Sequence, residues 1–169
     1  NRLAGFAPLE FYREILGRIK SRYPGCDVDF LKEQLDRCCN GQDGALSYIV
    51  DDKFSISKIK DKVDLVFSQA ALEHFSSIER AFRELSSVVE EGGILLAEID
   101  LMTHTRWIRD RDPLNIYRYS DFYWDLFKFE GVPNRVRVFE YKKILEKNNW
   151  ANIRVIAKDT LGSEYLNKV

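Results

Sequence analysis

The stretch from Asp61 to Asp100 constrains the fold more than any other part of this 169-residue chain. Val63–Phe67 is a short apolar run with β-branched and aromatic residues, and it predicts a strand buried on both faces, as in parallel α/β sheets. Ile94–Ile99 predicts a second strand of the same kind. A helix between them would complete a βαβ unit, in which two parallel strands are joined by a right-handed crossover.

The segment between the two strands carries the signals of an amphipathic helix. Ser76 and Glu79 have the spacing of a capping box, in which the two side chains bond to each other's backbone N–H groups at the helix start. Gly92-Gly93 predicts the helix end, because glycine takes the left-handed conformation there without a steric penalty. The apolar positions recur at helical spacing: Ile78, Ala81, Phe82, Leu85, Val88 and Val89.

Further elements are predicted on both sides of this unit from apolar periodicity and from proline, glycine and asparagine stops. Helices are expected between Pro8 and Pro24, from Asp29 to Cys39, from Phe122 to Phe129 and from Val138 to Asn148, and strands at Leu46–Val50 and Ile153–Ile156.

Composition narrows the class of protein. The formal net charge is −1, which gives no electrostatic basis for binding nucleic acid. No apolar run approaches the roughly 20 residues needed to span a bilayer, and no secretory signal is present. Cys26, Cys38 and Cys39 are an odd number and lack paired CxxC spacing, which indicates reduced thiols. These features predict a cytoplasmic protein without nucleic-acid or membrane partners.

Several motifs after the first predicted strand together resemble a known family. Leu72-Glu73-His74, Arg83-Glu84-Leu85 and Glu91-Gly92-Gly93, in this order and spacing, are similar to the second half of a Rossmann-like (class I), type 11-like S-adenosylmethionine-dependent methyltransferase. The similarity continues through Ile99-Asp100-Leu101, His104, Pro113-Leu114-Asn115, Arg118-Tyr119-Ser120, Trp124 and Asn134-Arg135-x-Arg137.

The resemblance implies an α/β fold, a Rossmann-like three-layer sandwich with a mostly parallel sheet. Residues 1–169 would form a single partial domain, with residues 101–137 as a lid or substrate-side insertion. The sequence contains no glycine-rich GxGxxG loop, so we expect it to be a fragment that lacks the loop and ends in an incomplete sheet. A fragment of this kind would expose apolar surface, which predicts association into a homodimer.

The resemblance also implies the residues that bind the cofactor, S-adenosylmethionine. Ser68, Gln69 and Ala70, at the carboxyl end of the first strand, would contact its methionine end. Either Asp51 or Asp52 would accept a hydrogen bond from the adenine amino group. The alternative is that these two aspartates are an exposed loop pair or a helix N-cap.

Asp100 and His104 form the candidate catalytic pair, because both follow the second strand on the substrate side. Histidine exchanges a proton readily near neutral pH, and a neighbouring carboxylate would orient it. In the alternative interpretation, Asp100 caps a turn and His104 is a hydrogen-bonded loop residue. Glu73 and His74 would brace the preceding loop, or His74 would act as a base. Two histidines without further ligands predict no metal site.

Polar residues of the 101–137 region would bind substrate, since guanidinium groups suit anionic or sugar-like molecules. The alternative is that the arginines tie a lid to Asp110, Asp112 and Asp121. The candidate substrate-binding residues are Arg118, Tyr119, Asn134 and Arg135 of this region, together with His74 from the loop after the first strand.

The predicted activity is transfer of a methyl group to an unidentified small-molecule acceptor. The alternative is a non-catalytic methyltransferase-like module that holds a partner through Leu101–Arg137.

Overall fold

The computed structural model describes residues 9–39, 49, 51, 55–129 and 131–167. The chain divides into two compact units, Asn1–Val50 and Asp51–Val169. Among the described residues, every helix is too short or too polar to cross a bilayer.

The first unit contains two helices, α1 (Leu9–Arg22) and α2 (Val28–Cys39). Both confirm the helices predicted from apolar spacing. Asp27 precedes α2, and its carboxylate accepts a hydrogen bond from the backbone N–H of Phe30 at 2.9 Å, which satisfies a free helix-end donor. The predicted strand Leu46–Val50 lies, except for Ile49, outside the described residues.

The second unit is built on β1 (Val63–Gln69), α3 (Ile78–Val88) and β2 (Val89–Glu98). The two strands pair in parallel, with Val66 opposite Leu95 and Gln69 opposite Glu98. The predicted strand–helix–strand unit is therefore confirmed, and the fold class is α/β with a parallel sheet.

The remaining helices follow β2. They are α4 (Arg106–Arg109), α5 (Asp121–Phe127), α6 (Val138–Lys147) and α7 (Ser163–Asn167), and single 3-10 turns occur at Ile56–Lys58, Leu72–His74 and Asn115–Tyr117. The predicted final strand Ile153–Ile156 is wrong, because these residues pair with no strand in the described sheet, which consists of β1 and β2.

The start of α3 differs from the predicted capping box by one residue. Ser77 is the N-cap, and its hydroxyl accepts a hydrogen bond from the Arg80 N–H at 3.3 Å. Glu79 does not reach back to Ser76 but pairs with Lys147 of α6 at 2.5 Å. The ion pair to a neighbouring helix thus replaces the local bond.

The prediction that Gly92-Gly93 ends the helix is also wrong. The helix ends at Val88, and the backbone of Val89 is already extended. Val88 and Val89 are both β-branched, and such residues favour extended backbone. Both glycines lie inside β2 at a bulge: between the pairs Val63–Val89 and Leu65–Ile94, β1 has one residue and β2 has four. Gly92 has a φ of +82°. A Cβ on Gly93 would lie 2.5 Å from Val89 Cγ1.

The core of the second unit lies between α3, α6 and one face of the sheet. The rings of Phe82 and Tyr141 meet edge to face, with their centroids 6.2 Å apart. Val66 and Leu95, partners across the strands, pack half-buried against this cluster. Its buried members are Leu72, Ile78, Ala81, Phe82, Leu85 and Tyr141.

The opposite face of the sheet is open, so the prediction that β1 is buried on both faces is wrong. Leu65, Phe67, Ile94 and Leu96 are 59–65% exposed. They form two neighbouring cross-strand pairs, Leu65–Ile94 and Phe67–Leu96. The apolar strand sequence is therefore not matched by a second covering layer within the described residues.

Candidate functional site

The candidate site is built at the carboxyl edge of the two parallel strands, where side chains of open α/β sheets meet ligands. Beyond Gln69, the backbone N–H of Ala70 donates to the Glu98 carbonyl at 2.9 Å and ties the two strand ends together. Ala70 has a φ of +46°, a conformation uncommon for residues other than glycine. The chain therefore turns sharply immediately after β1.

Asp100 and His104, the predicted catalytic pair, lie together just beyond β2. Asp100 Oδ2 lies 3.5 Å from His104 Nε2 and 3.9 Å from a guanidinium nitrogen of Arg109. The other oxygen, Oδ1, accepts a hydrogen bond from the Met102 N–H at 2.8 Å. Asp100 therefore closes a local turn with one oxygen and faces the histidine with the other, so the two interpretations left open by the sequence are compatible.

Glu73 is brought to the same place by the 3-10 turn that follows β1. Its side chain is 1% exposed. Oε1 accepts a hydrogen bond from the Asp100 N–H at 3.3 Å, which links the two strand-end loops. Oε2 is buried and has no partner among the described residues. An unpartnered buried carboxylate oxygen is costly in free energy, and such groups concentrate at functional sites.

His74 completes the group. Its Nδ1 lies 2.7 Å from the carbonyl oxygen of Gly131. Because a carbonyl can only accept, Nδ1 carries the proton of this bond, and in the neutral imidazole Nε2 then holds the free lone pair. The rings of His74 and His104 are 5.0 Å apart between centroids. The two histidines of the chain therefore face one site.

Asn134 holds the turn that carries Glu73 and His74. Its side-chain amide donates to the carbonyls of Leu72 and Phe75 at 3.1 and 3.2 Å, and its backbone N–H donates to the Glu73 carbonyl at 2.5 Å. The amide oxygen accepts from the Tyr141 hydroxyl at 3.2 Å. Asn134 thus fixes the site from the side of the 101–137 region, and its binding of substrate stays a prediction.

Burial raises the pKa of the Tyr141 phenol to about 12. The same cause acts on Tyr117, whose hydroxyl is buried without a partner in the described structure. Its burial first, and then the charges of Glu140 and Asp100, raise the pKa of Tyr117, although Arg137 and Arg135 oppose them. The neutral phenol is therefore the favoured form near Asp100.

The predicted substrate-binding arginines are occupied by acidic neighbours. Arg118 forms an ion pair with Asp112. Arg135 forms one with Asp121 at 3.2 Å, and it also donates to the Tyr119 carbonyl at 2.5 Å. This is the arrangement of the alternative interpretation, in which the arginines tie the segment to its own acidic residues.

Asp51, one of two candidate adenine contacts, is also engaged. It forms an ion pair with Lys58 and accepts a hydrogen bond from the Ser55 N–H at 3.3 Å. Asp52 lies outside the described residues. The contact of either aspartate with the adenine therefore stays a prediction.

An apolar cavity of about 350 Å³ lies beside β1. Ser68 is the one lining residue with a polar side chain, so the cavity suits an apolar or flat aromatic group rather than a charged one. It is lined by Ile56, Ile59, Val63, Leu65, Val66, Ser68, Ala71, Leu72, Phe75, Leu85, Val88 and Leu95.

Sequence reasoning gave Glu73 only a bracing role and did not single out Arg109 or Tyr117. Glu73 offered one signal, since it is an acidic residue directly after Leu72 in the turn that follows the apolar strand β1. Arg109 and Tyr117 lie in an irregular segment, and no spacing relates them to Asp100.

Comparison with known proteins gives a match to a protein family. The family model described as "Methyltransferase domain" matches residues 10–97, which is more than half of the chain. No curated protein and no solved structure matches this chain. The matched region includes Ser68–His74 and ends just before Asp100 and His104.

Proposed function

The chain belongs to the methyltransferase domain family, and from this we propose that it is an S-adenosylmethionine-dependent methyltransferase acting on a small-molecule acceptor. The observation that carries the proposal is the contact between Asp100 and His104 at 3.5 Å, at the carboxyl edge of the parallel strands of the matched domain. The fold sets the position of the site, and the polar side chains at that position supply the chemistry.

The residues at the end of β1 fit part of the cofactor. Ser68 and Gln69 offer a hydroxyl and an amide that bond to no other side chain among the described residues, and Ala70 and Ala71 are small and exposed. They would contact the methionine part, and Asp51 or Asp52 the adenine. When bound, the cofactor supplies an electrophilic methyl group on a sulfonium.

His104 would take the proton from an oxygen or nitrogen of the acceptor. Asp100 would orient the imidazole and stabilise its protonated form, and Arg109, 3.9 Å from the same carboxylate oxygen, would help to hold that oxygen in place. Positioning of acceptor and methyl group would provide most of the remaining acceleration. His74, across the site, would contact the acceptor.

Residues 101–137 would form the substrate side of a single methyltransferase domain and close over the site as a lid. Arg118 and Arg135, through Asp112 and Asp121, would keep that lid ordered. Tyr119 and Asn134 would then act on substrate from a fixed backbone.

The proposal is tested first by calorimetric titration of S-adenosylhomocysteine into the full chain. Gln69→Ala should weaken binding by about 2–10-fold, the value of one hydrogen bond. Gln34→Ala on α2 is the matched control and should leave the affinity unchanged. Absence of binding both by this chain and by a version extended upstream through the expected glycine-rich loop would contradict the proposal.

The catalytic role of His104 needs a separate measurement. With acceptors screened for formation of S-adenosylhomocysteine, His104→Gln should lower kcat by about 10²–10⁴-fold, as expected for loss of a general base. Its affinity for S-adenosylhomocysteine should remain. An unchanged kcat would show that His104 is not the general base, and it would not contradict the methyl transfer itself.

A second candidate function is a non-catalytic module that holds a partner. It is favoured by the apolar side chains of α5 and the residue pair after it: Phe122, Phe127 and Phe129 are 73–75% exposed. Exposed aromatic patches of this kind mark interaction surfaces. Failure of both this chain and the extended version to bind S-adenosylhomocysteine would favour this second candidate.

A further inference from the structure

Three side chains with metal-binding atoms converge at the carboxyl edge of the sheet. One ligand atom from each of Glu73, His74 and His104 lies within 4.8 Å of the others. Two ligands of one ion, each about 2.1 Å from it, are at most about 4.2 Å apart, so small side-chain rotations would close the set. The sequence showed two histidines without a third ligand, and the fold brings a carboxylate to them.

The Glu73 carboxylate is buried and only partly satisfied by hydrogen bonds. Glu73 is 1% exposed, and its Oε2 has no hydrogen-bond partner in the described part of the chain. A buried charge is ordinarily paired or coordinates a metal. The backbone N–H of Asp100 bonds to Oε1 alone, which leaves Oε2 unsatisfied.

Each imidazole has an oxygen neighbour at one of its two nitrogens. The Gly131 carbonyl fixes the proton of His74 on Nδ1 and leaves Nε2 free. Nε2 of His104 lies 3.5 Å from Asp100 Oδ2, so an ion would take Nδ1 while Asp100 keeps this contact. Metal-binding histidines almost always bond through their second nitrogen to a carbonyl or carboxylate, because that bond sets the tautomer and the ring orientation.

We propose that Glu73, His74 and His104 bind one divalent first-row transition-metal ion, with Zn²⁺ as the representative. Two imidazoles and one carboxylate are a donor set of zinc sites that keep further positions open for water or a ligand oxygen. Mg²⁺ prefers oxygen ligands and fits poorly. The binding needs neither cofactor nor acceptor, so it can be measured without methyl transfer, with which it would compete for His104. A bound ion would use the His104 lone pair that the base requires.

The test uses the full chain with Cys26, Cys38 and Cys39 replaced by serine, because thiolates compete for zinc. Calorimetric titration should give one Zn²⁺ per chain, and Mg²⁺ should give no comparable heat. Glu73→Gln, His74→Ala and His104→Ala should each weaken binding by at least about tenfold. Glu91→Gln, an exposed carboxylate on β2, is the matched control and should bind as before.

A second readout keeps the test valid if a variant unfolds. The chain has two histidines, so its imidazole NMR signals report this site alone. Both pairs of ring signals should shift on addition of Zn²⁺ to the unmodified site. Absence of stoichiometric binding, or binding with both imidazoles unmoved, would overturn the proposal.

Discussion

The two faces of the β1–β2 pair have the same kind of sequence and different environments. On one face, Val66 and Leu95 pack beneath α3 and α6. On the other, Phe67 and Leu96 are 65% and 59% exposed. Alternate residues of a strand point to opposite faces, so one apolar run supplies both sets. Apolar composition therefore indicates that a face can be covered, and the packing of other elements decides whether it is.

The largest difference in the free energy of unfolding should appear between a truncated phenylalanine on the covered side of the sheet and one on its open face. Phe82→Ala should lower the free energy of unfolding by about 3–5 kcal/mol, because Phe82 is 1% exposed and its removal leaves a cavity beside Tyr141. Phe67→Ala on the open face should change it by about 0.5 kcal/mol or less. Urea unfolding of both variants measures this, and equal effects would refute the comparison.

The bulge in β2 offers a smaller perturbation of the strand itself. Gly93→Ala should cost about 1–3 kcal/mol, because its Cβ would clash with Val89 and approach the Asp64 carbonyl at 3.2 Å. Gly92→Ala meets no atom within 4 Å and is strained only through its φ of +82°. It should cost about 1–2 kcal/mol. Thermal unfolding should rank the two in this order, and the reverse order would locate the constraint at Gly92.

Tyr141→Phe probes the polar end of the covered side. It removes one hydrogen bond to Asn134, which is worth about 0.5–1.5 kcal/mol at neutral pH. The folded-state pKa of Tyr141 is raised by burial from 10.0 to about 12. The stability linked to its protonation is therefore complete below pH 10 and is lost as the pH rises through 12.

Between pH 9 and 12, the free energy of unfolding should consequently fall less steeply with pH in Tyr141→Phe than in the unmodified chain. Tyr123→Phe on exposed α5 is a suitable control and should keep the original slope. Identical slopes in all three proteins would contradict the burial of the Tyr141 phenol.

The smallest effect on stability is expected at the open face, where self-association is the better measurement. Phe67→Ser with Leu96→Ser should change the free energy of unfolding by about 0.5 kcal/mol or less. If this face mediates the predicted homodimer, light scattering should show association of the unmodified chain with rising concentration and a monomeric double variant. A monomer at every concentration in both would reject the homodimer.

The sequence predicted the elements with strong local periodicity and erred at their boundaries. The stripe from Ile78 to Val88 specified α3 and its buried face. The end of that helix was misplaced because Gly92-Gly93 serves equally well as a helix stop and as a strand bulge. Val89 and residues 94–98 pair with β1, and local sequence does not reveal that long-range pairing.

The candidate site divides in the same way. The spacing of Asp100 and His104, four residues apart after a strand, was readable, and the structure has them in contact. The approach of Glu73 and His74 to this pair was not, because they come from a different loop and are held there by Gly131 and Asn134. The roles assigned to these residues stay predictions.

The sequence by itself determined the strand–helix–strand order and the family, because both depend on local periodicity and on motif order along the chain. Tertiary structure alone decided which sheet face is covered, that Gly92-Gly93 forms a bulge and that both histidines meet a buried carboxylate. Those features arise from contacts between residues far apart in sequence, such as Glu73 with Asp100 and His74 with Gly131. Local patterns carry no record of which distant segments will meet.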